Sequence, residues 1–349
     1  MSVPKTIIHK QTTPKKVIVV GGGIVGCLTA LTLVERGCQV TLVERNVVAS
    51  QTSGESSWAG AGILFPLLPW MYKEPVNALA MAGAAIYPQL CEYLLTKTGI
   101  NPEYCQSGMQ ILTPLNEADG LLWCEKNAVP AKKNAQGLFL PTVAQVRPPQ
   151  LLKALRQALI QSGVTLLERT ELKPLTQISQ LNTWQTTTGS HLEADQFVVT
   201  SGAWSFELLK ATSHELNIKP MRGQILLYEN AHQRLEHIVY ADGFYLVPRQ
   251  DGLLLAGSTL EDVGFDKSTT EEVRQALQAK AESILPSLKH APILKHWSGL
   301  RPGTPDNLPT ISAHPSIQNL YLNTGHFRYG LTMAPASAQR IAALMCDVN

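Results

Sequence analysis

The hydrophobic positions of the chain change period several times, and each change marks an element. Residues 17–20 (VIVV) form an unbroken β-branched run, the pattern of a strand buried on both faces of a parallel sheet. A glycine-rich turn follows, and then Leu28, Leu31, Thr32 and Val34 recur at helical spacing up to Gly37. A second β-branched run at 39–43 ends in Glu44. Farther on, 76–97 is an apolar helical stretch, and GMQIL at 108–112 is the clearest of several short strands between about 103 and 150. Pro148 and Pro149 introduce an amphipathic helix over 150–162 that stops at Gly163, before a strand at 164–167. That helix and strand predict a return to the first sheet. Residues 183–199 alternate as a hairpin and lead into Ser201 and Gly202, where a strand gives way to a helix. From 218 to 258, apolar runs separated by polar turns predict a distinct antiparallel sheet. A helix over 270–285, a strand at 320–323 and a helix over 334–345 complete the pattern.

The fold class expected is therefore α/β plus α+β: a Rossmann-type domain interleaved with a mostly antiparallel sheet domain. The nucleotide-binding part takes 17–75, 146–215 and 300–349, and the second domain takes 76–145 and 216–299. Residues 1–16 are polar and basic and read as a frayed extension.

The turn itself, Gly21-Gly22-Gly23-Ile24-Val25-Gly26, satisfies G-x-G-x-x-G between a strand and a helix. Gly21 permits the tight turn, Gly23 lets backbone approach a pyrophosphate, and Gly26 lets the helix lie close to the strand. The helix N-terminus offers free N–H groups and partial positive charge to phosphates. Glu44 closes the unit, where a carboxylate holds ribose hydroxyls and repels a 2′-phosphate; the neighbouring Arg45 weakens that exclusion. Together these features specify a dinucleotide without choosing between NAD and FAD. After Glu44 the expected alternation of strand and helix breaks off. Residues 50–64 are instead small and hydroxyl-rich, as suits a backbone lying against a flat ligand; a surface linker is the alternative.

Composition narrows the partners. The 349 residues carry a net charge of +2 with 44% hydrophobic content, an ordinary soluble pattern with no basic block for nucleic acid or anionic membrane. The most apolar stretch, 59–70, is short and broken by Pro66 and Pro69, so stable membrane insertion is not expected. The N-terminus lacks the apolar core of a signal peptide, and the six cysteines form no CxxC pair or metal cluster. A cytoplasmic protein with reduced thiols and no metal is expected; a homo-oligomer is compatible with the sequence.

Four stretches now carry a resemblance: VVGGGIVG at 19–26, SGAWS at 201–205, GLRPGTPD at 299–306 and TGHFRYGL at 324–331. In this order they resemble the D-amino-acid oxidase superfamily, and within it the glycine oxidases associated with thiazole formation for thiamine. The resemblance runs from about 16 to 345. It implies non-covalent FAD, because residues 296–310 hold no cysteine of the kind that tethers flavin in sarcosine-oxidase-like relatives. It implies that Arg301 pairs with a substrate carboxylate, that Tyr245 hydrogen-bonds the same group, and that Arg328 is a second arginine there. Ile63 is placed near the substrate. The implied flavin-binding set is Gly21, Gly23, Ile24, Val25, Gly26, Glu44 and Arg45; Thr52, Ser53, Ser57, Gly60, Ala61 and Gly62; Leu172, Gly202 and Trp204; and Gly325, His326, Phe327, Arg328, Tyr329, Gly330, Leu331 and Thr332.

Elementary chemistry agrees with that reading. A guanidinium presents two parallel donors to a carboxylate, and a tyrosine hydroxyl adds a third. A fixed amino acid then turns its α-hydrogen toward the flavin, and with the amine neutral no strong protein base is required. The implied reaction is oxidative deamination of glycine, sarcosine or a small D-amino acid to a 2-oxo acid and ammonia, with dioxygen as final acceptor. Plainer roles stand beside these. Arg301 pairs with Asp306, Tyr245 packs in its strand, Arg328 forms a surface ion pair, and His326 packs against or bonds the flavin instead of acting as a base. Met221 and Arg222 either line the pocket or lie on the sheet. Tyr329 stands where relatives often carry a small polar residue. Two rival functions keep the fold: a dehydrogenase passing electrons to a quinone, with 63–70 as a membrane-docking loop, and a non-catalytic flavoprotein.

Overall fold

The first β-branched run becomes Lys16–Val20, a central strand of a six-stranded sheet ordered Thr310–Ala313, Leu320–Thr324, Gln196–Val199, Lys16–Val20, Gln39–Val43, Thr165–Leu167. The computed structural model describes residues 14–51, 54–112, 116–212, 216–229 and 235–347. All neighbours in this sheet are parallel except the edge pair Thr310–Ala313 and Leu320–Thr324. The central strand shows no polar alternation because both its faces are covered. Val17 and Val19 enter one core cluster, while Ile18 and Val20 enter another with Phe197, Val199 and Trp184.

The second sheet has eight strands, ordered Ile293–Gly303, Lys219–Tyr228, Leu254–Gly257, Phe244–Pro248, Ile238–Ala241, Met109–Leu112, Gly137–Leu140, Lys132–Asn134. It is antiparallel apart from Ile238–Ala241 against Met109–Leu112. Strand alternation divides its faces: Ile225, Tyr245 and Val247 point into one cluster, and Leu226, Phe244 and Leu246 into the one covered by helix Glu271–Ile284. The same alternation separates Met221 from Arg222. Met221 lies under Gly303, whereas Arg222 is buried and pairs with Glu261 and Asp266.

Several elements depart from the sequence pattern. The hairpin expected over 183–199 is confined to Thr183–Gln185 and His191–Glu193. Gln196–Val199 belongs instead to the parallel sheet, where all four residues are buried. Helix Glu117–Lys126 went unread, because Gly120 interrupts its apolar positions; Trp70 packs over that glycine. Helix Glu74–Thr98 starts two residues ahead of the expected 76, and its Tyr87, Cys91 and Leu94 pack into the cluster that holds Val17 and Leu31. The C-terminal helix starts at Gly330, before the expected 334, and runs through Pro335. Proline has no N–H for the Leu331 carbonyl, and the Tyr87 hydroxyl donates to that carbonyl instead at 2.6 Å. Gly83 marks the crossing of the two helices, where a Cβ would lie 2.0 Å from the Thr332 carbonyl oxygen.

The 63–70 segment is not presented outward. Leu64 and Phe65 are buried in two different clusters, and Leu67, Leu68 and Trp70 pack against the sheet-domain core. No helix among the described residues is long and apolar enough to cross a membrane.

Candidate active site

A cleft of about 370 Å³ opens where the ends of the parallel strands meet the antiparallel sheet. Its floor is the glycine turn. Gly21 takes φ +113°, a backbone that disfavours any side chain, and a Cβ there would come within 2.9 Å of Ser201 backbone. Gly26 faces inward from the first helix, Ile24–Glu35, and its Cβ would sit 1.8 Å from the Gly21 carbonyl oxygen. The helix therefore lies on the strand only because residue 26 has no side chain, and Gly26 itself does not reach the cleft wall.

Glu44 is buried and organises the turn. One carboxylate oxygen accepts from Gly22 N at 2.7 Å, the other from Asn46 N at 2.8 Å, and the side chain still faces the cleft. Ser57 Oγ accepts from Ile24 N at 3.0 Å, so the hydroxyl-rich loop docks on the helix N-terminus. Gly21, Gly23, Ile24, Val25, Ser57 and Gly60 all line the cleft. The loop is thus built into the wall and is no surface linker. The short helix Ser56–Ala59 packs on Gly299, and Trp58 stacks on Trp297 with centroids 5.6 Å apart. Thr52 and Ser53 lie outside the described residues. Arg45 sits 4.0 Å over the ring of Trp204, which in turn stacks on Phe265. Leu172, Gly202, Phe327, Gly330 and Leu331 close this end.

Arg301 comes from strand Ile293–Gly303 and reaches the cleft across Gly223, where a Cβ would collide with its Nη1 at 2.1 Å. Nη1 donates to the Thr259 carbonyl at 3.1 Å and Nη2 to Ser258 Oγ at 2.7 Å. Both acceptors are neutral. Asp306, the plainer partner, pairs with Lys73 at 3.0 Å. Among the described residues Arg301 makes no ion pair, although burial lowers its pKa and Tyr245 is the neighbour that opposes this most. The half-buried guanidinium keeps N–H groups free beyond these two bonds, and such a cation has the donor geometry to take a carboxylate. Arg328, another cation of the wall, is exposed, lies 5.5 Å from the Phe327 ring and forms no ion pair among the described residues.

The remaining candidates stand behind the wall. Tyr245 is buried in the cluster that Ile63 packs against. The Ala61 carbonyl accepts from Arg249, and Gly62 takes φ +81° to bring its backbone against Val146. Thr332 Oγ1 donates to the Ile63 carbonyl at 3.1 Å, and the Gly325 carbonyl accepts from Thr304. Tyr329 is buried, donates to the Leu67 carbonyl at 3.3 Å and meets Tyr72 edge-on, so it fastens the 67–72 segment. The sequence reading passed over Gly22, Gly223, Ser258 and Thr259. The Met221-Arg222-Gly223-Gln224 stretch held the one visible signal, a glycine inside a strand.

His326 is buried on the cleft wall, and burial pushes its pKa down to about 3. It is neutral and a poor base at neutral pH. Its Nε2, like Asn323 Oδ1 nearby in the wall, has no hydrogen-bond partner among the described residues. Two orphaned polar atoms, a glycine cradle and a buried carboxylate beside it fit a polar dinucleotide such as FAD. The shift also has a consequence for folding. The unfolded imidazole takes its proton near pH 6.5, whereas the folded one resists until about 3. Between these values the unfolded state binds more protons, so stability from this residue falls as pH falls. Urea titrations of His326→Gln should show a pH slope reduced by up to about 1.4 kcal/mol per pH unit in that window. An unchanged slope would mean that His326 protonates normally when folded.

The family model described as DAO, FAD dependent oxidoreductase, matches residues 16–344. The chain is 39% identical over 348 residues to a glycine oxidase of Pseudomonas aeruginosa, covering 95% of this chain and 94% of that one. It is 31% identical to a bifunctional protein ThiO/ThiG of Trichormus variabilis, covering 95% of this chain and 53% of that one. The crystal structure of glycine oxidase from Geobacillus kaustophilus superposes with a TM-score of 0.87 at 27% identity, over 97% of this chain and 96% of that one. The glycine turn, the cleft and the whole-length match agree, and the chain belongs to the DAO family of FAD-dependent oxidoreductases, as an amine oxidoreductase.

Proposed function

We propose that this enzyme oxidises glycine, sarcosine or a small D-amino acid with dioxygen and water, giving a 2-oxo acid, hydrogen peroxide and ammonia, or methylamine when the substrate is sarcosine. On this reading the parallel sheet holds FAD without a covalent bond, and the antiparallel sheet binds the substrate. Arg301 carries the proposal, as a half-buried guanidinium in the cleft held by Ser258 and Thr259 and left without a carboxylate among the described residues. It binds the substrate carboxylate, with Tyr245 and Arg328 as the neighbouring donors. Ile63, packed against the cluster that contains Tyr245, limits the room left for a side chain. Glu44 takes the ribose hydroxyls, and the glycine turn takes the pyrophosphate. FAD, when bound, supplies the two-electron acceptor for a hydride from the α-carbon. His326 is held neutral by burial and is a poor base, so on this reading the substrate presents a neutral amine.

The glycine oxidase relatives support this substrate class, and the ThiO/ThiG relative supports a supply of product to thiazole synthesis for thiamine. The free cysteines favour a cytoplasmic setting. Oxygen uptake and peroxide release, measured with glycine and D-alanine on the flavin-loaded enzyme, test the proposal. Uptake matched by peroxide is expected. Reduction of the flavin by substrate with no peroxide would instead identify a dehydrogenase that uses another acceptor such as a quinone.

A further inference from the structure

The acceptors that hold Arg301 sit on a loop, and something must hold the loop. Ser258 and Thr259 follow strand Leu254–Gly257, and the backbone then turns beside strand Lys219–Tyr228. A pair of backbone hydrogen bonds, each 2.9 Å, joins Glu261 to Arg222. The Glu261 side chain adds much more. Its carboxylate accepts from Arg222 Nη2 at 2.6 Å and Nε at 3.3 Å, and from Gln224 Nε2 at 3.0 and 3.2 Å. It also accepts a short hydrogen bond from Thr259 Oγ1, whose own lone pair takes Gln224 N at 2.9 Å. Burial pushes the Glu261 carboxyl up, but the bonds from Arg222, Thr259 and Gln224 outweigh it and hold its pKa below the ordinary value.

From these contacts, which rest on Arg301 being the carboxylate anchor, we propose that Glu261 is a positioning residue for substrate binding. Its carboxylate locks Thr259, and the Thr259 carbonyl and Ser258 hydroxyl aim the guanidinium of Arg301. The side chain never touches the cleft. The bonds to it from Arg222, Gln224 and Thr259 are all donated, so an amide in its place either sets an N–H against the Arg222 or Gln224 N–H groups or reverses the Thr259 bond, and either change loosens the loop. A shift well under the length of a bond at Arg301 is enough to matter, because a bidentate pair tolerates little misalignment.

The test uses the flavin-loaded enzyme with acetate as a carboxylate-only probe, read by the perturbation of flavin absorption, alongside glycine kinetics. Glu261→Gln should weaken acetate and raise the KM for glycine by about tenfold to a hundredfold, with kcat far less affected and flavin content unchanged. Thr259→Val should do the same through the other end of the link, and Thr259→Ser should restore near-normal values. Asp262→Asn, an exposed neighbour paired with Lys219, should leave both quantities alone. If Glu261→Gln and Thr259→Val both keep the normal acetate affinity and KM, the proposal is overturned. Arg301→Lys measured in parallel separates the two levels. Weakened acetate there with unaffected Glu261 and Thr259 variants removes only the positioning role, whereas unaffected acetate removes the anchor reading as well.

Discussion

Arg301→Ala should lower kcat/KM for glycine by roughly thirtyfold to several thousandfold while the purified protein stays yellow. The size follows from removing one member of a buried, hydrogen-bonded charge pair, about 2–5 kcal/mol. On the proposed reading the guanidinium, with two neutral acceptors behind it and no acid partner among the described residues, takes the substrate carboxylate as its counter-charge. Most of the loss should appear in KM, because the carboxylate contact is made before and during the chemical step alike. Arg301→Lys should fall between wild type and alanine, since it keeps the charge and loses the fork. FAD retention should not change, because the cradle around Gly21 and Glu44 does not depend on this side chain. Unchanged kinetics would remove Arg301 from the substrate site.

Gly26→Ala should yield a folded but largely colourless protein, with FAD affinity reduced by about a hundredfold. Its Cβ would lie 1.8 Å from the Gly21 carbonyl oxygen and 2.7 Å from Thr200 Oγ1. The first of these is backbone and has no rotamer to yield, so the helix must lift away from the strand. That strain, at the upper end of the about 1–3 kcal/mol typical of overpacking, falls on the turn that presents Gly22 and Gly23 to the cofactor. Gly37→Ala is the control. Gly37 also has a positive φ, +82°, but nothing lies within 4 Å of its Cβ position, so that variant should lose some stability and keep its flavin. Equal flavin content in both variants would mean that the close contact at Gly26 does not shape the site.

What the sequence revealed and what it hid have physical causes. Fully buried parallel strands such as 17–20 and 39–43 are legible because β-branched residues run without interruption, and the glycine turn is legible because its spacing follows from backbone geometry. The hairpin boundary is hidden because His191–Glu193 offers a single apolar residue, Leu192, while the buried 196–199 run has the stronger strand pattern. Helix Glu117–Lys126 failed because Gly120 serves a tertiary contact with Trp70. At the site, the resemblance singled out Arg301, but nothing local in the sequence shows that Asp306 turns away to Lys73. Nor does it show that Ser258 and Thr259, on the loop after strand Leu254–Gly257, hold the guanidinium. Those facts arise where two strands of the antiparallel sheet end together, and only tertiary structure brings them to one place. Tyr329 illustrates the same limit: nothing local in the sequence shows its buried contact with Tyr72 and Leu67.

The most direct measurement is the visible spectrum of the flavin-loaded enzyme before and after glycine is added without oxygen. The expected result is bleaching of the flavin band, with glyoxylate and ammonia formed in step and colour returning when air is admitted. A band unchanged by glycine, sarcosine and D-alanine, in protein that demonstrably holds FAD, would contradict the assignment of this cleft to amine oxidation.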